Sequence, residues 1–232
     1  DGGSDIGKFM AKNIREHGGV IHRNTEVKRI VVEDSKVSYV ETADGSKVHG
    51  KNFISNMHPV RTLDMTESNL IKQAYKHRVK SLENSIGGFV VNIVFEKNTY
   101  PYIKNNFYYI KDGQEWNLTE YNDETWPSCY AVFCSASSKS PDYAESMTLL
   151  AYMKFDEVKQ WADTFNTVSK EEDRGKDYEA FKKIKAEKLL SLVEERFPGV
   201  RKAIKSYYTA TPLSYRDYIG NDDGSMYGIA KD

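Results

Sequence analysis

The chain has 232 residues, 39% hydrophobic and 29% charged, which is the balance of an ordinary globular protein. Its 33 basic and 34 acidic residues leave a formal charge of −1, so no cationic excess favours nucleic acid as a partner. No run approaches the ~20 apolar residues of a spanning helix. The longest apolar stretch, Phe89–Phe95, is strand-sized.

Ile6, Phe9, Met10 and Ile14 fall at helical spacing, and Gly18-Gly19 supplies the stop. Val20-Ile21-His22 reads as a short strand. Strands follow at Glu26–Glu33 and Lys36–Thr42, and Asp44-Gly45 marks a tight turn into Lys47–His49. Asn52–Asn56 reads as one more strand, ended by His58-Pro59. The pattern is helix, strand, three-stranded meander, strand.

Beyond Pro59 the character changes, which divides residues 1–58 from residues 59–232. A basic helix is expected over Glu67–Leu82, its apolar stripe formed by Leu70, Ala74, Tyr75, Val79 and Leu82. Strands are expected at Ile86–Phe95, Phe107–Ile110, Cys129–Ser135 and Thr148–Phe155, with a short helix over Asp156–Thr164. Ser169 and Glu172 have the spacing of a capping box. A long helix follows through Phe197, and Pro198-Gly199 breaks it. Ile204–Thr209 reads as a last strand and Pro212–Tyr218 as a helix or turn. The fold class expected is α+β: a mixed, largely antiparallel sheet with flanking helices, beside a smaller α/β piece.

Catalytic constellations are absent from the pattern. The five histidines show no metal-ligand spacing and no cysteine cluster accompanies them, so no metal is expected. No Gly-x-Ser-x-Gly elbow occurs. Cys129 and Cys134 are five apart in a strand, hence on opposite faces, which makes them poor disulfide partners and suits a reducing cytoplasm. Aromatic residues make up 12% of the chain and crowd the strand-rich region: Phe89, Phe95, Tyr100, Tyr102, Phe107, Tyr108, Tyr109, Trp116, Tyr121, Trp126, Tyr130 and Phe133. Aromatic faces on one side of a sheet can line a pocket for a long apolar ligand.

Several short motifs occur in a recognisable order: Gly2-Gly3-Ser4 opening a helix, Glu16-His17-Gly18-Gly19-Val20-Ile21, Val27-x-x-Ile30, Asp44-Gly45 and Phe53-Ile54-Ser55-Asn56. Together they resemble the phytoene-desaturase-like flavoproteins, a group that includes retinol saturases and sits in the amine-oxidase-type superfamily. Thr211–Tyr218 with Gly224-Ser225-Met226-Tyr227-Gly228 resembles the end of the substrate domain in the retinol-saturase-like branch. The resemblance implies that residues 1–58 contribute to an FAD-binding domain and that residues 59–232 form a substrate-binding domain.

By the same resemblance, the Val27 backbone would contact the adenine of FAD. Gly2, Gly3, Tyr227 and Gly228 would lie nearer flavin and substrate. No catalytic residue is assigned. The activity implied is FAD-dependent oxidation or reduction of a carbon–carbon bond in an apolar, isoprenoid-like substrate. The family's Gly-x-Gly-x-x-Gly turn and its closing segment do not occur in this chain. The expectation is therefore a piece from the middle of a longer enzyme, inactive alone and binding FAD weakly or not at all, with the remainder of the polypeptide as its partner. Because polyenes dissolve in lipid, a peripheral contact with a bilayer is a further expectation for a cytoplasmic protein. The alternatives are an amine or protoporphyrinogen oxidase-like flavoenzyme, or a non-enzymatic module that binds a lipid or partner.

Overall fold

The computed structural model describes residues 3–137, 139–167 and 174–231. Gly2 and the capping-box pair Ser169 and Glu172 lie outside them. Contacts divide the chain into two compact units, Asp1–Ser81 and Leu82–Asp232. The division falls later than the change of character after Pro59, because the intervening residues pair with the first sheet. No helix among the described residues is long and apolar enough to cross a membrane.

The first unit opens with α1 (Gly3–Glu16), whose Ile6, Phe9 and Met10 are all exposed; the helix buries none of its residues. Strands β1 (Val27–Glu33), β2 (Lys36–Thr42) and β3 (Lys47–His49) form the antiparallel meander. Gly45 turns the β2–β3 hairpin at φ +82°, where a side chain would be strained, and the Asp44 carboxylate accepts from the Ser46 N–H. Next come α2 (Pro59–Met65), β4 (Thr66–Glu67) and α3 (Gln73–Lys80). β4 adds to β1 in parallel, giving the order β3-β2-β1-β4, and the Arg29 guanidinium clamps Glu67 at 2.6 Å across that seam.

Three expectations change here. Val20–His22 and Asn52–Asn56 form no strand: Val20 and Ile54 are 74% and 99% exposed, and no described neighbour pairs with their backbone groups. The basic helix begins at Gln73 rather than Glu67, because Glu67 is taken up in pairing with β1. Its apolar stripe points largely outward, since only Val79 is buried while Leu70 and Tyr75 stay exposed.

The second unit is built on five strands: β5 (Gly87–Phe95), β6 (Phe107–Ile110), β7 (Cys129–Ser137), β8 (Ser140–Met153) and β9 (Ile204–Ala210). They are antiparallel throughout, in the order β6-β7-β8-β5-β9. A 3₁₀ helix (Phe155–Trp161), α4 (Lys176–Arg196), α5 (Val200–Ala203) and α6 (Pro212–Ile219) complete the unit. The α+β class with a largely antiparallel sheet and flanking helices is as expected.

Alternation along each strand decides which side chains meet the helices. Phe89, Val91 and Ile93 of β5, Val132 of β7, and Met147, Leu149 and Met153 of β8 form one fully buried layer. That layer packs with Ala186, Leu189, Leu190 and Val193 of α4, and Trp126 meets Phe89 edge-on at 5.8 Å.

Two charged networks fix the helices. Lys185 of α4 reaches Glu157 at 2.6 Å and lies over the Trp126 ring, while the Tyr121 hydroxyl also donates to Glu157. Burial foremost, then that carboxylate, pushes the Tyr121 phenol far above its usual value. Asp217 of α6 accepts from Arg174, from Arg216 and from the Asn166 N–H. Burial works against this carboxylate's charge, but the donors outweigh it and hold the group below the usual carboxylate range.

Candidate functional site

The face of the large sheet opposite α4 carries the other set of alternating residues. Register aligns Tyr108 of β6 with Ala131 of β7, Leu150 of β8 and Val90 of β5 in one row across the strands. The neighbouring pair Ile110–Cys129 continues the same face. Of these, Tyr108, Ile110, Cys129, Ala131 and Leu150, with Phe133 and Tyr152, border a cavity of about 250 Å³. The Phe133 and Tyr108 rings meet edge-on at 5.9 Å, a favoured aromatic geometry.

Two walls come from outside the sheet. Leu118 belongs to the connection between β6 and β7, and Met226 with Tyr227 belongs to the segment after α6. That segment runs back along the residues preceding β5. Ser85 N–H donates to the Gly228 carbonyl at 2.7 Å, the Tyr227 N–H to Ser85 Oγ at 3.0 Å, and the Met226 N–H to the Ile86 carbonyl at 3.3 Å. Asn84 Nδ2 adds a bond of 2.8 Å to Asp223, and Asn221 Nδ2 reaches the Ser225 carbonyl at 3.0 Å. Gly224, at φ +62°, lies so close to the Pro212 backbone that a Cβ there would meet the Pro212 carbonyl oxygen at 2.1 Å.

No charged side chain lines the cavity. Burial raises the Cys129 thiol above its ordinary value, which disfavours the thiolate and makes this cysteine a poor nucleophile. Burial likewise raises the Tyr152 phenol, with smaller contributions from Cys129 and Tyr227. The site can therefore hold an apolar body between aromatic walls, with phenol hydroxyls at its edge. It offers no general base, nucleophile or metal cage. Among the described residues no group of three or more His, Cys, Asp and Glu side chains is placed to hold a metal ion.

Of the residues singled out in the sequence, Tyr227 stands at this cavity, 77% exposed at its rim. Gly228 follows it at φ +70°, in the anchor rather than the wall. Gly3 and Val27 belong to the first unit. Gly3 is the first residue of α1 with open space beside it, and Val27 is half-buried at the start of β1, paired with Thr42. Sequence reasoning missed Leu118, Ala131, Leu150 and Met226 as wall residues. Strand alternation was the available signal for Ala131 and Leu150, but only the cross-strand register brings them to one spot.

No family model matches the chain. It is 25% identical over 229 residues to the prolycopene isomerase, chloroplastic, of Daucus carota, an alignment that covers 96% of this chain and 34% of that protein. It is 20% identical, over an alignment of 249 residues, to the all-trans-retinol 13,14-reductase of Danio rerio, covering 98% of this chain and 40% of that one. At low identity, these two matches support the resemblance to the phytoene desaturase and retinol saturase-like family. It spans between a third and two fifths of the length of these curated relatives. An oxidoreductase from Methanosarcina mazei shares its fold, with a TM-score of 0.54 at 18% identity over 87% of this chain and 40% of the other. The chain is thus similar to proteins named for carotenoid and retinoid chemistry.

Proposed function

We propose that the chain supplies the substrate-binding unit, and part of the cofactor-holding unit, of an FAD-dependent oxidoreductase. The reaction is oxidation or reduction at a carbon–carbon bond of an apolar, isoprenoid-like substrate. One observation carries this reading: the neutral, aromatic-walled cavity of about 250 Å³ on the face of the sheet turned away from α4. Two relatives are named for prolycopene and for all-trans-retinol, both conjugated isoprenoids that such walls suit.

The chain does not by itself fit the whole cofactor. It contains no Gly-x-Gly-x-x-Gly turn, so the residues present do not make the cradle that holds a dinucleotide pyrophosphate. Gly3, at the first turn of α1, offers free peptide N–H groups at one point, and the Val27 backbone would serve the adenine. The exposed apolar face of α1 supports a first unit that is completed by other parts of the whole protein. With redox chemistry assigned to the flavin, the tasks left to these residues are to orient the polyene and exclude water. That division suits a cavity without an acid, base or nucleophile. An amine substrate suits it less, since an ammonium group would find no carboxylate among the walls. We place the whole protein in the cytoplasm with a peripheral bilayer contact, where a lipid-soluble substrate is within reach.

The test uses the full-length protein purified in the dark. It is expected to be yellow with bound FAD, and to change the fluorescence of all-trans-retinol on binding. Leu150→Trp, which fills the cavity, should abolish the retinol signal while the flavin stays bound. A colourless protein that ignores added FAD would overturn the flavoenzyme reading. Retinol binding that is indifferent to Leu150→Trp would overturn the site.

A further inference from the structure

Gly88 lies on the cavity-facing side of β5, opposite Tyr152 of β8. It is buried, and its missing side chain is what lets two wall residues close over it. A Cβ built at Gly88 would stand 3.0 Å from Met226 Sδ and 3.0 Å from Leu150 Cδ1, with the Ala151 carbonyl oxygen at 3.5 Å. The Met226 thioether therefore rests in a notch that the missing side chain of Gly88 leaves open. The backbone of Met226 is pinned at the same time, through its own N–H to Ile86 and that of Tyr227 to Ser85. A fixed backbone that carries a flexible side chain makes an adjustable wall on a rigid mount.

We propose that Met226, seated on Gly88, is the residue that sets how long an apolar ligand the cavity accepts. This rests on the cavity being the substrate site. The physical reason is positional. Met226 comes from the tail segment rather than from the sheet, so it supplies a wall that the strands do not. A methyl group placed at Gly88 would stand 3.0 Å from both the Met226 thioether and the Leu150 methyl, so these two must shift, while the Ala151 carbonyl at 3.5 Å stays in ordinary contact. Both movable residues line the cavity, so either response shortens it. Gly88 does not have a positive φ, so alanine there brings no backbone strain. Removing the thioether has the opposite effect and lengthens the space.

The experiment measures displacement of all-trans-retinol fluorescence on the full-length protein by geraniol, farnesol and geranylgeraniol. Gly88→Ala should weaken geranylgeraniol about tenfold relative to geraniol, the value of roughly one methyl-sized misfit in an apolar pocket. Met226→Ala should shift the ratio the other way by a similar factor, and Met226→Leu should stay near wild type. Two opposite shifts support the proposal. If the wild type binds retinol but both variants keep its ladder of affinities, Met226 does not set the length and the proposal falls while the site stands. If the wild type binds neither retinol nor any of the alcohols, the site reading itself fails, and the role of Met226 with it.

Discussion

Asp217→Asn keeps the shape of the side chain and removes its charge. In the wild type the Asp217 side chain is 0% exposed and that of its partner Arg174 is 5% exposed, so neither charge is shared with water. Arg174 keeps its bonds to the Thr164 carbonyl and hydroxyl in the variant, but its counter-ion is gone. Breaking a buried pair from one side typically costs about 3–5 kcal/mol, because the remaining charge is left without compensation. With a urea slope of about 2 kcal/mol per molar, the unfolding midpoint should fall by about 2 M. The chain's three tryptophans, Trp116, Trp126 and Trp161, all lie in the second unit, so their emission follows the unit that contains Asp217. Arg174→Met combined with Asp217→Asn should cost less than Asp217→Asn alone, since the more deeply buried of the two cations left behind, Arg174 and Arg216, is then removed as well. A loss under about 1 kcal/mol, the range of a surface pair, would show that Arg174 escapes to solvent and would refute the reasoning.

The same carboxylate predicts an acid effect. Its folded-state pKa is depressed, so its contribution is complete above the unfolded value of about 3.9 and is lost as pH falls through the lower folded value. The gap in urea midpoint between wild type and Asp217→Asn should therefore narrow below about pH 4, and a gap that widens on acidification would reverse the sign. Leu189→Ala, at a site with 0% exposure where α4 meets the sheet, should destabilise the second unit by about 2–5 kcal/mol in the same titration. Cys129 should react slowly with maleimides near neutral pH, because burial raises its thiol pKa, and bound retinol should slow it further. Mass spectrometry of the Cys129 peptide reads both effects, and labelling as fast as that of a free thiol would argue against a thiol sheltered in the cavity.

The strands β5, β6 and β9 were legible to within a residue or so, because each is an apolar run between turn-forming residues. The end of the long helix was legible too, since Pro198-Gly199 gives an unambiguous stop. Its start at Lys176, after Gly175 at φ +89°, falls later than a Ser169–Glu172 cap would put it. β8 starts well before the apolar run that announced it: Ser140–Ser146 is polar, and pairing with β7 holds it in the sheet. α2 was invisible as a helix, being a single short segment begun by Pro59, with His58 Nδ1 accepting from the Val60 N–H at 3.3 Å. The absent strands at Val20–His22 and Asn52–Asn56 show the limit of composition: β-prone residues make a strand only beside another edge. The cavity was half legible. Aromatic crowding pointed to the right sheet, but Phe89 and Tyr130 went to the α4 side while Tyr108 and Phe133 went to the other. Which side receives which ring depends on parity relative to the neighbouring strand, and one sequence does not state that parity. Met226 stood in the Gly224–Gly228 motif but gave no sign of being a wall residue, because its place follows from a tail segment laid against Asn84–Ile86.

The strand order carries a consequence for synthesis on the ribosome. β5 sits between β8 and β9, and both neighbours emerge after it, β9 close to the end of this chain. Its run of Phe89, Val90, Val91, Ile93, Val94 and Phe95 must therefore wait in the growing polypeptide with its hydrogen-bonding edges unmet. Pairings between such distant segments close slowly. The nascent chain should accordingly engage holding chaperones over that stretch, and release from them should coincide with the arrival of Ile204–Ala210 outside the exit tunnel.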